Sequence, residues 1–169
     1  GDDTVRGARG NDTLYGGEQN DLMQGGQDDD ILYGEDGQDT VDGGSGNDSV
    51  IGGADNDLLR GTSGSDTLDG GDGEDSLDGG SDNDSLSGGD DNDLLRGSGG
   101  DDTLDGGEGD DRLDAGKGDY LDLMTGGGGL DTFVFRNSGG TITDFTQGED
   151  KMGVSDADVV FDDFNISLQ

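Results

Sequence analysis

The 169-residue sequence predicts an all-β fold, a right-handed parallel β-roll with two short-stranded parallel sheets and a C-terminal β cap. Three observations lead there. Aspartate recurs every nine residues: Asp3, Asp12, Asp21, Asp30, Asp39, Asp48, Asp57, Asp66, Asp75, Asp84, Asp93, Asp102 and Asp111. Two residues after each stands an apolar side chain, from Val5 and Leu14 through Met23 and Leu32 to Leu104 and Leu113. The stretches between are rich in glycine, and the chain has no proline.

Each nonapeptide divides into a turn and a strand. "GGDGED" (70–75) is turn-like, because glycine takes positive φ without steric cost. "SLD" (76–78) is the part that can be a strand, with Leu77 on one face and its neighbours on the other. Such a short strand cannot stand alone, so the units must stack. Two nonapeptides make an 18-residue coil with one strand on each side. Aspartates 18 residues apart then stack, for example Asp39 with Asp57 and Asp75 with Asp93. The segments 56–80 and 92–116 agree at 18 of 25 positions, which points to duplication of a four-repeat block.

The frame slips once. "AGKGDYLDLMTGGGGLDTFVF" (115–135) is read as a shortened turn ending at Asp119, with Leu121 inward, then a small insertion, then a full repeat with Asp131 and Phe133. The repeat array is assigned to residues 1–135 and a capping segment to 136–169. All five phenylalanines follow residue 131 and are expected to cover the open end of the roll. "FNISLQ" (164–169) alternates like a strand and stops abruptly, so the natural domain is expected to continue.

Composition narrows the chemistry. The chain carries 43 acidic and 8 basic residues, a net charge of −35. That charge repels nucleic acid and favours cations. There is no cysteine for a disulfide, cluster or thiol nucleophile, and no histidine for a zinc site or general base. No apolar run reaches membrane-spanning length. Serine-hydrolase motifs are absent, and the nearest approach to an EF-hand loop, Asp101 to Arg112, ends in arginine. Catalysis is not expected in this chain. Stacked carboxylates about 5 Å apart repel unless a cation lies between them. Carboxylate and glycine carbonyl oxygens form a hard donor set, which suits Ca²⁺. One apolar side chain per nonapeptide is too little to order the chain unaided, so folding is expected to require the ion.

These residues resemble the RTX repeat, the hemolysin-type calcium-binding nonapeptide G-G-x-G-x-D-x-U-x, from residue 1 to about 135. "GGGGLDTFVF" with "ITDFTQGEDKMGVS" (142–155) also resembles the segment that ends such arrays. The resemblance implies a parallel β-roll with about ten calcium ions between turns, bound by the aspartates above, Asp119 and Asp131 included. It implies a secreted or cell-surface protein, exported through type I secretion machinery and folding outside the cell. The chain departs from the pattern at the fourth position, where Gln19, Asp28, Asp55, Asp82 and Asp91 replace glycine, and at Ala115, which replaces the first glycine.

Two outer columns are also legible. Arg6, Gln24, Asp42, Arg60, Asp78, Arg96 and Asp114 are read as a solvated face rather than an ion ladder. Tyr15, Tyr33 and Ile51 are read as a cross-strand stack. The leading function is a calcium-binding module that supports folding, stability and secretion of a larger exported protein, itself a monomer. The alternative is a structural or adhesive surface-protein spacer, or a ligand-binding repeat array such as an ice- or glycan-binding one. Its ice-binding form is weak, because the threonines are interrupted by Leu, Ile, Ser and Arg.

Overall fold

The computed structural model describes residues 1–117, 121–136, 139–146, 150–154 and 164–166. Each nonapeptide contributes one strand, longer than the three residues expected, because the two glycines after the apolar residue continue it. The first six are β1 (Thr4–Arg9), β2 (Thr13–Glu18), β3 (Leu22–Gln27), β4 (Ile31–Asp36), β5 (Thr40–Ser45) and β6 (Ser49–Ala54). The next are β7 (Leu58–Ser63), β8 (Thr67–Asp72), β9 (Ser76–Ser81), β10 (Ser85–Asp90), β11 (Leu94–Gly99) and β12 (Thr103–Glu108). Then come β13 (Arg112–Lys117), β14 (Leu121–Gly128), β15 (Thr132–Arg136), β16 (Gly139–Ile142), β17 (Lys151–Val154) and β18 (Phe164–Ile166).

Odd strands form one nine-stranded sheet and even strands another, and every pairing is parallel. The register is that of an 18-residue coil: Leu59 pairs with Leu77 and Leu77 with Leu95. The chain is therefore a two-sheet β-solenoid, a parallel β-roll. A single file of apolar side chains from each sheet fills the space between them. Met23 through Leu113 in that file are fully buried, and Val5 and Leu14 pack against it half-buried.

The slip is resolved differently from the sequence expectation. Leu121 does not point inward; it is 75% exposed. Met124 takes the inward place and pairs with Leu104, two residues later than an 18-residue coil would put it. The insertion thus lies wholly before Asp122, and from Asp122 to Asp131 the nine-residue step is intact. The pairing of β13 with β15 shifts by one residue between Asp114 and Lys117, which takes up part of the extra length.

Phe133 and Phe135 are buried at the end of the core, and the Phe145 ring packs on Phe133 with centroids 6.3 Å apart. Phe161 lies outside the described residues. Strands β16, β17 and β18 extend both sheets past residue 135. Tyr15 and Tyr33 stack at 5.0 Å with nearly parallel rings.

Two positions hold positive φ in each turn that follows β1 to β12. Gln19, Asp28, Asp55, Asp82 and Asp91 all adopt it in place of glycine, with φ between 73° and 80°. So do Glu35 and, less favourably, the β-branched Thr62 at φ 88°. A left-handed β-branched residue costs more than a glycine loses in entropy. Thr62→Gly is expected to stabilise the calcium-loaded fold by about 1 kcal/mol. Thermal unfolding in saturating calcium checks this; an unchanged or lower midpoint would contradict it.

Candidate metal centre

The repeated aspartate stands immediately before its strand, at the edge of the sheet. There its Oδ1 accepts a hydrogen bond from the backbone N–H of the aspartate one coil earlier. Asp39 N–H donates to Asp57, Asp57 to Asp75 and Asp75 to Asp93, at 2.7–2.8 Å. The other edge repeats the ladder, with Asp48 donating to Asp66, Asp66 to Asp84 and Asp84 to Asp102 at 2.8–2.9 Å. Stacking was expected; the carboxylate-to-amide bond that joins each pair was not.

That bond satisfies one oxygen of each carboxylate. The second, Oδ2, is buried without a hydrogen-bond partner at every repeat from Asp12 to Asp111. It points back across the turn at the first glycine of its own repeat. A Cβ built on Gly16 would lie 2.7 Å from Asp21 Oδ2 and 2.7 Å from the carbonyl oxygen of Gly34, one coil on. The same two groups converge at Gly25, with Asp30 Oδ2 and Gly43 O. These glycines are required not by φ but by two oxygens that occupy the space of a side chain. Ala115 is compatible because the insertion has moved the following aspartate: five residues on stands Tyr120.

The electrostatics follow from the burial. Desolvation pushes Asp57, Asp66, Asp84, Asp93 and Asp122 up to about 7. Asp75 and Asp111 rise to about 6 for the same reason. The amide bond pulls each part of the way back, and nearby carboxylates raise it again. Asp39, Asp48, Asp102 and Asp131 are raised by the same burial. Burial disfavours the ionised form along the whole row, and a cation beside each carboxylate would offset that cost.

Of the aspartates singled out from sequence, Asp21 to Asp111 and Asp131 are buried in the two columns. Asp12 is half-buried and Asp3, at the end of the stack, is exposed. Asp119 lies outside the described residues. Its expected place is held by Asp122, whose Oδ1 accepts the Asp102 amide at 3.0 Å. The signal for Asp122 was present: Met124 follows it by two and Asp131 by nine. Asp150 continues the other column, accepting from the Asp131 amide at 3.2 Å.

A second ladder runs beside the first. At the residue before the repeated aspartate, side-chain oxygens of Asn47, Asn56, Asn83 and Asn92 accept from the amides of Ser65, Glu74, Asp101 and Asp110 in the next coil. This ladder runs opposite in direction and needs no ion. Its signal is the recurrent "ND" pair. The Arg–Asp column is solvated as expected, with Arg96 and Asp78 3.9 Å apart and both well exposed. Asp114 is the exception: it is buried and bound by the Arg136 guanidinium.

Among the described residues no three carboxylates gather around one point. A metal here would take one or two carboxylate oxygens and complete its shell with backbone carbonyls. Orphaned Oδ2 atoms beside glycine carbonyls fit that requirement. The available donors are all oxygen, which would suit Ca²⁺ better than a metal that demands nitrogen or sulfur. Fold and site together define a calcium-binding repeat module. The chain matches the family described as RTX calcium-binding nonapeptide repeat in four stretches, residues 1–32, 15–50, 51–86 and 87–121, and it belongs to that family. No curated protein matches the chain.

Gly70→Ala would drive a methyl group into Asp75 Oδ2 and Gly88 O. It is expected to raise the calcium concentration needed for folding several-fold, whereas Gly1→Ala, with nothing near it, is expected to change nothing. Equal calcium midpoints would contradict this.

The raised pKa values give a second expectation. Above the ordinary value of 3.8 and below about 7, the ion-free fold holds more protons than the unfolded chain. Its stability is therefore greatest at low pH and is lost as pH rises through about 6–7. In chelator, circular dichroism should show more β-structure at pH 5.5 than at pH 7.5; the reverse order would contradict the assignment.

Proposed function

We propose that this chain is a calcium-operated folding module of a larger exported protein. It is largely unfolded where calcium is scarce and orders on reaching a calcium-rich exterior. Ordering there supports the folding, stability and type I export of the protein to which it is attached. It acts as a monomer and carries no catalysis of its own. The observation that supports this reading most is the pair of edge columns in which each buried carboxylate keeps one oxygen unpartnered. Ion-free, those columns oppose folding near neutral pH; with about ten divalent ions bound they favour it. The position-six carboxylates and the carbonyls of the first glycines would hold the ions.

A calcium titration in chelator-buffered solution, followed by circular dichroism, tests the reading. The β signal is expected to appear with a midpoint of about 10⁻⁴–10⁻³ M. Position matters too. Asp66 is stacked between Asp48 and Asp84, whereas Asp3 ends its column. Asp66→Asn is expected to raise the midpoint well above that of Asp3→Asn, since each coil is coupled to its neighbours. A full β signal in chelator, or equal midpoints for the two variants, would overturn the proposal.

A further inference from the structure

The charged residues are divided between the two sheets. Every lysine and arginine of the chain lies on a strand of the odd-numbered sheet: β1, β7, β11, β13, β15 and β17. The even-numbered sheet has none, and carries acidic residues on β2, β4, β8, β10, β12 and β14. Only three carboxylates share the basic face, and each is engaged by a neighbour: Asp42 by the Thr62 hydroxyl, Asp78 by that of Ser98, and Asp114 by Arg136. Among the described residues Arg6, Arg9 and Arg60 have no acidic partner and are exposed.

The cations are regularly spaced. Arg60 and Arg96 stand in one column two strands apart, and Arg112 and Lys151 in the neighbouring column, also two strands apart. With strands 4.7–4.9 Å apart, that is a repeat of about 10 Å along the roll. Asp78 stands between Arg60 and Arg96 in their column, and the Thr132 hydroxyl between Arg112 and Lys151. Leu22, Leu58 and Leu94 fall on alternate strands of the same column, separated by Thr40 and Ser76, so no continuous apolar patch forms. The described aromatic residues of this sheet, Phe133 and Phe135, are buried. A protein partner would find no apolar anchor here and single-stranded nucleic acid no stacking platform.

We propose that the outer face of the odd-numbered sheet binds a linear acidic polysaccharide, one bearing sulfate or carboxylate groups along its length, and that calcium switches this binding on. The switch rests on the calcium reading above. At a net charge of −35 the ion-free chain repels any polyanion. Ions in the turns neutralise the flanking carboxylates and leave this face as the electropositive surface of the ordered roll.

The test uses the whole chain in saturating calcium, with dextran sulfate as probe and neutral dextran as control, by isothermal titration. Dextran sulfate is expected to bind and dextran not, with an affinity that falls steeply with added NaCl. Arg60→Gln combined with Arg96→Gln is expected to weaken binding about tenfold and to flatten the salt dependence, without moving the calcium midpoint. Arg60→Gln alone, at a residue with no partner to lose, is expected to give part of that loss. Thr67→Ala, on the opposite sheet, is expected to leave binding unchanged. Failure to discriminate dextran sulfate from dextran would overturn the proposal. So would full affinity in the double variant, or tighter binding of polyglutamate or of a single-stranded oligonucleotide. A chain that folds with calcium yet ignores dextran sulfate overturns this inference alone; a chain that never responds to calcium overturns the reading beneath it.

Discussion

One buried carboxylate oxygen without a partner, repeated along both edges of the roll, governs the rest of the structure. Folding brings the Asp75 carboxylate out of water and gives it one amide bond, from Asp57. Its other oxygen is left beside glycine carbonyls of the turn. Burying an ionised oxygen with only like-signed dipoles around it is costly. That cost recurs at every repeat, so it scales with length just as the core does. A longer array is therefore no more self-sufficient than a short one; each added coil brings the same deficit and the same remedy, a cation.

The nine-residue period meets several constraints together. The strand must present one apolar residue inward. The carboxylate must sit just before it, at the sheet edge, where it can reach the previous coil. The first glycine must leave room for that carboxylate and for the carbonyl of the next coil. Two further turn positions must take positive φ, and there the chain accepts Asp, Gln, Glu, Ser, Ala and Thr. The first glycine admits only Ala115, where the carboxylate has been displaced. Steric exclusion is thus stricter than conformational preference, and it marks which glycines belong to the metal site.

Period, apolar file and aspartate columns were legible because each rests on one residue type recurring at a fixed step. Asp66, Leu68 and Gly70 could be assigned roles with no knowledge of the fold. The slip was harder. Leu121 and Met124 are both apolar, and Asp119 and Asp122 are both candidate ligands, so composition could not decide between them. The coil geometry decides, since only Met124 can meet Leu104 across the sheet. The asparagine ladder was hidden for another reason: Asn56 and Asn92 read as turn formers, and their bonds to the next coil exist only once stacking is known. The segregation of basic residues was present in the numbering. Arg60, Arg96 and Lys151 all fall on odd-numbered strands, which becomes visible only when alternate repeats are assigned to opposite sheets.

The central claim is that cations fill the gap beside each unpartnered carboxylate oxygen. Anomalous diffraction from crystals grown in calcium addresses it directly. The account predicts two rows of anomalous peaks, one along each edge of the roll, each peak within bonding distance of an aspartate Oδ2 of the Asp12–Asp111 series and of a glycine carbonyl. An ordered roll with no peaks along its edges, or with peaks only at exposed surface carboxylates, would contradict it.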